Sequence, residues 1–550
     1  MKQADTIFLP LGGTGEIGMN CNLYGVAGKD GYEWIMVDLG VTFAKGENAL
    51  AGIDLIMPDT SFIEKAGGLQ ALLLTHGHED HLGAVAHLWR RLQCPIYATP
   101  FTAELMRQKL AEQGLEDAPL HIIDINAHLQ IGAFTIDYIT LTHSIAEPSA
   151  LAIRATHKNG TTNILHTGDW KIDPDPIIGA PTQEDRLKAF GDEGIDAIIC
   201  DSTNALVAGR AGSEGMVAKN LRETIARCKN QVVVTAFASN VARLASVTQA
   251  ASACGRVVCL AGRGMHRIVA AAQKTGYLKD LPPFVEEDNI SDIPRNKRLI
   301  LCTGSQGEER AALARLARGD HRHLSLKKGD HVIFSSRVIP GNEVGIGDLH
   351  NQLVRLGVEV ILPKGNDIHV SGHPCEDELR DMYKWARPKL AIPVHGEARH
   401  LKAHADLAKS LGAAALEIDN GDVVQLSPFP KVIDKVESGR LYLDGHILLS
   451  SDDEALLARQ SLAQNGLVVV AIPLDSANRL AGEVDVMVLG VPEDDDLYDI
   501  IYDAIERVIP SNGKLTPNKA DKAIVRHVKN AVAAQWGKRP QIEVQFISCL

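Results

Sequence analysis

Short apolar runs recur along the first two hundred positions, and most of them close on a small, polar or charged residue. Continuous or alternating apolar positions predict strands over 6–11, 34–39, 71–75, 96–99, 134–139, 150–155, 163–166 and 197–200. Apolar residues spaced three and four apart predict helices over 82–92, 103–113 and 216–228. The early strands follow one another and the later ones alternate with helices. That order predicts sheets flanked by helices, more than one doubly wound sheet.

A second α/β rhythm runs from about 211 to 362, with strands expected at 232–236, 257–260, 299–302, 332–335 and 358–362. Helices are expected between them at 241–253 and 265–275. Several of these strands end in small or turn residues, as in TAFASN, LAGRG, CTGSQGE and SSRVIPGNE. Ligands gather at the C-terminal ends of strands in α/β sheets, so these ends predict a ligand-facing rim. Beyond Gly421 the pattern changes. LVVVAIPL and VDVMVLGV read as strands, 454–464, 497–508 and a stretch from 518 as helices, and IEVQFIS as a last strand.

At 550 residues, 45% hydrophobic and 23% charged, the chain is long enough for two or three domains. It has no apolar run near the roughly 20 residues that span a bilayer, and its first residues, MKQADTIFLPLGG, lack a signal-peptide pattern. Nine scattered cysteines without a CxxC pair fit a reducing compartment. Together these features predict a cytoplasmic protein with no membrane partner. The net charge of −13 hides an asymmetry: between Arg210 and His350 there are 21 Lys/Arg against 13 Asp/Glu. A basic middle in an acidic chain is one form a polyanion-binding cleft takes.

The densest chemistry lies in LLLTHGHEDHLGAV, where His76, His78, Asp80 and His81 fall within six residues after a buried strand. Alternate residues of an extended strand end share a face, so His76 and His78 can meet one cation while Asp80 and His81 reach a neighbouring position. Nitrogen and oxygen donors of this kind suit zinc. Isolated candidates at other strand ends are Asp38, His143, Asp169 and His395. Spacing alone does not single them out from the 21 histidines and the other acids.

HGHEDH, the later THS, TGDW and the early VDLG resemble the metallo-β-lactamase superfamily. LGGTGEIGMNCNLY, CDSTNA, TAFASN, TGSQGE, IPGNE, HVSGH and IPVHGE resemble its β-CASP nucleases, most closely the bacterial ribonuclease J group. The resemblance implies a metallo-β-lactamase αββα sandwich with an inserted α/β β-CASP domain and a small α+β C-terminal domain. Its parts would be 1–209 and 366–450 for the metallo-β-lactamase domain, 210–365 for the insert, 451–466 for a linker region and 467–550 for the C-terminal domain. It further implies two zinc ions per subunit, with Mg2+ or Mn2+ as candidate supporting ions. His76, His78, His143 and Asp169 would hold one; Asp80, His81, His395 and the shared Asp169 the other. Asp38 would orient site residues, Asp201 would partner a ligand histidine, and Asp80, Asp201 and His373 would carry the catalysis.

Two zinc ions sharing a water lower its pKa from 15.7 toward neutrality and supply a nucleophile for a phosphodiester. A histidine near them, His373, could protonate the leaving group or stabilise developing charge. His369, Val370, Ser371, Gly372, His373 and Ser336 are the expected phosphate contacts, and Phe237, with Phe43, the candidate base-stacking residues. The implied activity is zinc-dependent hydrolysis of RNA as a 5′→3′ exonuclease preferring 5′-monophosphate ends and as an endonuclease, in RNA maturation and decay. Single-stranded RNA, a second or fourth copy of the chain and RNA-degradation proteins are the implied partners. The competing readings are a thioesterase- or lactonase-type hydrolase, a DNA nuclease and a non-catalytic RNA-binding protein. SSRVIPGNE departs from the family by carrying Arg337 and Val338 where Ser-Pro is usual, which bears on end preference.

Overall fold

Successive residues of a strand face opposite sides, and along Cys21–Ala27 and Tyr32–Val37 both sides are apolar. Tyr24, Val26, Ile35 and Val37 turn to one core, while Leu23 and Met36 are equally buried on the other face. The same logic in Phe134–Thr140 sends Ile136 and Tyr138 toward that first core and Ile139 to a second one. Two sheets therefore meet face to face and each is covered outside by helices, in a computed structural model that describes residues 4–29, 31–44, 46–339, 341–494, 496–510 and 514–549. Pro340 of the SSRVIPGNE rim and Asp495 of the acidic run lie outside the described residues.

The first sheet has eight strands in the order Lys431–Lys435, Asp422–Ser427, Thr6–Gly12, Cys21–Ala27, Tyr32–Val37, Ala71–Leu73, Ile96–Ala98 and Leu120–Ile122. The second has seven, in the order His128–Ile131, Phe134–Thr140, Ser149–His157, Gly160–His166, Ala197–Asp201, Leu390–Val394 and Ala414–Ala415. Helices Glu184–Glu193, Glu376–Ala386 and Ala398–Ser410 close the outer face of the second sheet with Leu187, Phe190, Leu379, Met382, Trp385 and Leu407. The helix expected over 82–92 is two pieces, Glu79–Leu82 and Val85–Leu92. Gly83 lies between them, and a Cβ there would stand 2.5 Å from the Glu79 carbonyl oxygen.

The chain leaves this sandwich after Ala197–Asp201 and returns to it through Leu390–Val394, which pairs parallel with the strand it left, Asp201 opposite Val394. Between them lies a five-stranded, all-parallel sheet ordered Val257–Ala261, Arg298–Cys302, Val232–Thr235, His331–Phe334 and Glu359–Ile361. The inserted sheet is tied to the body by buried charge. Arg243 is fully buried, bonds both carboxylate oxygens of Glu214 at 2.9 Å and donates to the Ser335 hydroxyl at 2.6 Å. Glu214 N donates to Asp173, which is paired with the equally buried Lys171 at 2.8 Å. Glu378 completes the junction by accepting from the backbone N–H groups of Ile172, Ala211 and Cys375.

Residues 1–42 and 57–439 make one compact unit and 43–56 with 440–550 a second. In the second, the central strand Leu467–Leu474 pairs with Asp485–Leu489 and Gln541–Ser548. Its alternate residues Val468, Val470 and Ile472 pack on Ile501, Ile505, Ile524 and Val528 of helices Leu497–Glu506 and Pro517–Trp536. The helix Glu454–Asn465, within the stretch expected as a linker region, belongs to this unit, and its Arg459 pairs with Asp444. No helix among the described residues is long and apolar enough to cross a membrane.

Removing one member of a fully buried ion pair strands the other in a medium that cannot solvate it. Arg243→Ala is therefore expected to destabilise the first unit by about 3–5 kcal/mol, measured as a fall in the urea midpoint of the full chain.

Candidate metal centre

Strands of both sheets end at one rim of the sandwich. His76 and His78 follow Ala71–Leu73, His143 follows Phe134–Thr140, Asp169 follows Gly160–His166, Asp201 ends Ala197–Asp201, and His395 follows Leu390–Val394. Asp80 and His81 lie in the short helix Glu79–Leu82. The histidines and acids that spacing left scattered over three hundred residues are thus gathered by topology.

They form groups of donor atoms within 4.8 Å of one another: His76, His78, His143 and Asp169; Asp80, His81, Asp169 and His395; and Asp169, Asp201, His373 and His395. His76 Nε2 and His143 Nε2 each stand 3.1 Å from His78 Nδ1. Two nitrogens on one tetrahedral zinc, each about 2.0–2.1 Å from it, would be about 3.3 Å apart. Asp169 Oδ2 lies 3.2 Å from His81 Nε2, 3.6 Å from His395 Nε2, 3.8 Å from His143 Nε2 and 4.0 Å from His76 Nε2. Asp80 Oδ2 is 3.7 Å from His81 Nε2 and 3.6 Å from His395 Nε2.

The outer nitrogens decide which way the lone pairs point. His81 Nδ1–H donates to Asp38 Oδ2 at 2.7 Å, His143 Nδ1–H to the Gly372 carbonyl at 2.6 Å, and His395 Nδ1–H to Asn20 Oδ1 at 2.9 Å. Thr75 Oγ1 spends its proton on Asp38 Oδ2, so it accepts from His76 Nδ1 at 3.0 Å. Each proton is fixed on the outer nitrogen, and each Nε2 lone pair faces inward, the arrangement of a metal-ligating imidazole. His395 Nε2 and Asp169 Oδ1 are buried polar atoms with no protein partner. The donor set fits a divalent-metal centre, with Asp169 common to all three groups.

Electrostatics agree with that division. Burial, reinforced by neighbouring histidines, holds His76 and His143 well below the usual histidine range and brings His78 down to about 4, so these three are neutral donors near pH 7. At His81 burial acts the same way, but Asp169, Asp80 and Asp38 outweigh it and draw positive charge to that side. The backbone is strained here as well: Met19, Asp38 and His395 have φ of 53°, 63° and 52°. Gly40 is needed for a different reason, since a Cβ on it would lie 1.7 Å from the Asp80 carbonyl oxygen.

His373 stands beside this group. Its Nδ1 donates to Asp201 Oδ2 at 2.8 Å and lies 3.7 Å from Asp169 Oδ2. Asp201, expected to serve a ligand histidine, bonds His373 of the third donor group, and its other oxygen accepts from Thr203 N. Burial disfavours charge on His373, yet Asp201 and then Asp169 lift its pKa to about 9. Of the expected phosphate loop, Gly372 touches His143, Ser371 Oγ accepts from Asn204, and Val370 is buried. Ser336 is buried at the rim. Phe237 is half-buried in the turn after Val232–Thr235, and Phe43, 61% exposed, belongs to the second unit.

Sequence reasoning gave no role to Asn20. It holds His395 through Oδ1, donates to the Asp80 carbonyl at 3.1 Å and stands 3.1 Å from His81 Nε2. Its signal was present in LGGTGEIGMNCNLY, an amide that follows a glycine-rich turn and directly precedes a buried strand. Asn204, which joins three segments, was likewise unassigned within CDSTNA. Asp38→Asn removes the acceptor that fixes both Thr75 and His81, and is expected to weaken zinc retention by about 10–100-fold, measured as metal content after dialysis against graded chelator.

Four family models match the chain. They are the beta-lactamase superfamily domain over 34–190, the ribonuclease J beta-CASP domain over 229–353, the Zn-dependent metallo-hydrolase RNA specificity domain over 360–419 and the ribonuclease J C-terminal domain over 454–548. Ribonuclease J of Sinorhizobium meliloti is 42% identical over 99% of this chain and 97% of its own. That of Mycolicibacterium smegmatis is 34% identical over 97% and 95%, and that of Thermus thermophilus 37% identical over 84% and 81%. A crystal structure of a protein of unknown function from Enterococcus faecalis superposes with a TM-score of 0.54 at 16% identity, covering 76% of this chain and all of that one; it shares the fold. With a like relative matched along nearly its whole length and family domains in the same order, the chain belongs to the ribonuclease J family.

Proposed function

We propose that the protein is a zinc-dependent ribonuclease that hydrolyses RNA phosphodiester bonds, both as a 5′→3′ exonuclease preferring 5′-monophosphate ends and as an endonuclease, in RNA maturation and decay. The observation that carries the reading is the pair of donor groups sharing Asp169, with four imidazole protons fixed on the outer nitrogens. His76, His78, His143 and Asp169 would hold one zinc, and Asp80, His81, His395 and Asp169 the other. Bound there, the ions supply Lewis acidity for a phosphoryl oxygen and make a water acidic enough to attack near neutral pH.

The chain's own groups do the rest. Held by Asp201 through Nδ1–H, His373 can give a proton from its other ring nitrogen to the departing 3′ oxygen or set its N–H against the charge of the pentacovalent phosphorus. Asp201 fixes which ring nitrogen does so, because it holds Nδ1–H. The loop His369–Val370–Ser371–Gly372 and Ser336 would seat phosphates next to His373, and Phe237 would stack a base. In this reading 1–42, 57–209 and 366–439 form the catalytic body, 210–365 the insert that closes over RNA, and the C-terminal domain 467–550 helps to pair copies into dimers or tetramers. A thioesterase or lactonase has no use for the positively charged insert, whereas a polyanion does.

Purified protein is to be given end-labelled 5′-monophosphate and 5′-triphosphate RNA, matched DNA and a thioester. Mononucleotide release from monophosphate RNA and internal cuts in both RNAs are expected, and thioester turnover without RNA cleavage would overturn the reading. Chelation should abolish cleavage and added Zn2+ restore it. His76→Ala and Asp80→Ala should each lower the rate by more than about 100-fold while the protein still binds RNA.

A further inference from the structure

Three cations surround His369. Arg243 and Lys171 are fully buried, and each is neutralised by a buried carboxylate, Glu214 and Asp173 respectively. The third is Arg337, exposed at the rim of the insert. Among the described residues no carboxylate stands within 4.0 Å of its guanidinium; its partner is the amide oxygen of Asn204, at 2.6 Å. His369 cannot supply a positive charge in its place, because burial and these three cations hold its pKa at about 3. The accessible, uncompensated charge next to this loop is therefore that of Arg337.

The Asn204 link leads to His373. Asn204 Nδ2 donates to Ser371 Oγ at 2.8 Å and to the His373 carbonyl at 3.1 Å. Arginine only donates and a carbonyl only accepts, so the amide has one orientation, with its oxygen toward Arg337 and its nitrogen toward the histidine loop. Asn204 is 1% exposed, which leaves it little freedom to relax if a partner moves. At its other end Arg337 is anchored through its carbonyl, which accepts from Gln306 Nε2 at 2.7 Å; Gln306 Oε1 in turn accepts from Ile339 N.

We propose that Arg337 is a specificity and positioning residue: its free guanidinium edge takes a phosphate of the single-stranded substrate, and through Asn204 that contact fixes the seat of His373. The inference rests on the ribonuclease reading and adds to it a phosphate contact supplied by the insert. A planar fork suits both tasks, since one edge can hold the amide while another meets the phosphate.

The test uses the full chain and a 3′-labelled, ten-nucleotide RNA bearing a 5′-monophosphate, with binding read in the His76→Ala background so that nothing is cleaved. Arg337→Gln should weaken binding about tenfold and reduce the slope of log affinity against log salt by about 0.7, the share of one phosphate on a single strand. Arg337→Lys keeps a charge and should keep the slope. In the zinc-loaded active enzyme, Arg337→Lys should lower kcat with little change in KM, because an ammonium lacks the planar link to Asn204. Melting temperature and zinc content, unchanged in both variants, separate these effects from misfolding. Affinity and slope indifferent to Arg337→Gln, a slope lost equally in Arg337→Lys, or a kcat untouched by Arg337→Lys would each overturn the proposal. Absence of any RNA binding by the His76→Ala protein would instead bring down the ribonuclease reading, and this inference with it.

Discussion

One carboxylate oxygen organises the centre of this molecule. Asp169 Oδ2 has imidazole nitrogens of His81, His395, His373, His143 and His76 between 3.2 and 4.0 Å away. Such crowding in a buried place is costly unless the outer nitrogens of the rings are tied down. The ties are Asp38, Asn20, Thr75, Asp201 and the Gly372 carbonyl, and each comes from a different strand end or loop. Sheet order, the left-handed residues and the tight approach of Gly40 to Asp80 can all be understood as ways to bring those ties within reach.

The same constraint explains why the insert is not a loosely tethered module. It leaves and re-enters on neighbouring strands, so Asp201 and His395 are set side by side by backbone pairing. The junction then carries Arg243 with Glu214, Lys171 with Asp173, and Glu378 with three backbone N–H groups. These buried charges are weak contributors to net stability but strong selectors of one arrangement, because any displacement leaves a charge without a partner. Precision at the rim is what a histidine such as His373 needs, since a proton is transferred usefully only over hydrogen-bond distance.

Much of this was readable in the chain. Strands buried on both faces are near-continuous apolar runs, so most core strands of the two sandwich sheets and all five strands of the insert were visible as such. Cys21–Ala27 was not, because Asn22 and Gly25 interrupt its apolar run. The cluster from His76 to His81 declared itself by density. His143, Asp169 and His395 did not, because a lone histidine or aspartate at a strand end carries no local sign of what the fold brings opposite it; only the resemblance singled them out. Asp201 shows the limit most clearly. Its place at a strand end was right, but the partner it meets depends on a loop some 170 residues later, and no period or propensity encodes that. Asn20 and Asn204 were missed for a related reason: a buried amide looks like any turn residue until its three partners are known. The break at Gly83 escaped because apolar spacing continues across it.

The return of the chain at His395 also has a temporal meaning. Translation delivers residues from the N-terminus at about 5–20 per second, so the cluster at 76–81 emerges long before the imidazole that stands 3.6 Å from both Asp80 and Asp169. A nascent or prematurely terminated polypeptide that extends past Asp169 but stops short of His395 has the first donor group and an incomplete second one. The complete centre therefore cannot assemble before the returning strand Leu390–Val394 and His395 behind it have been synthesised.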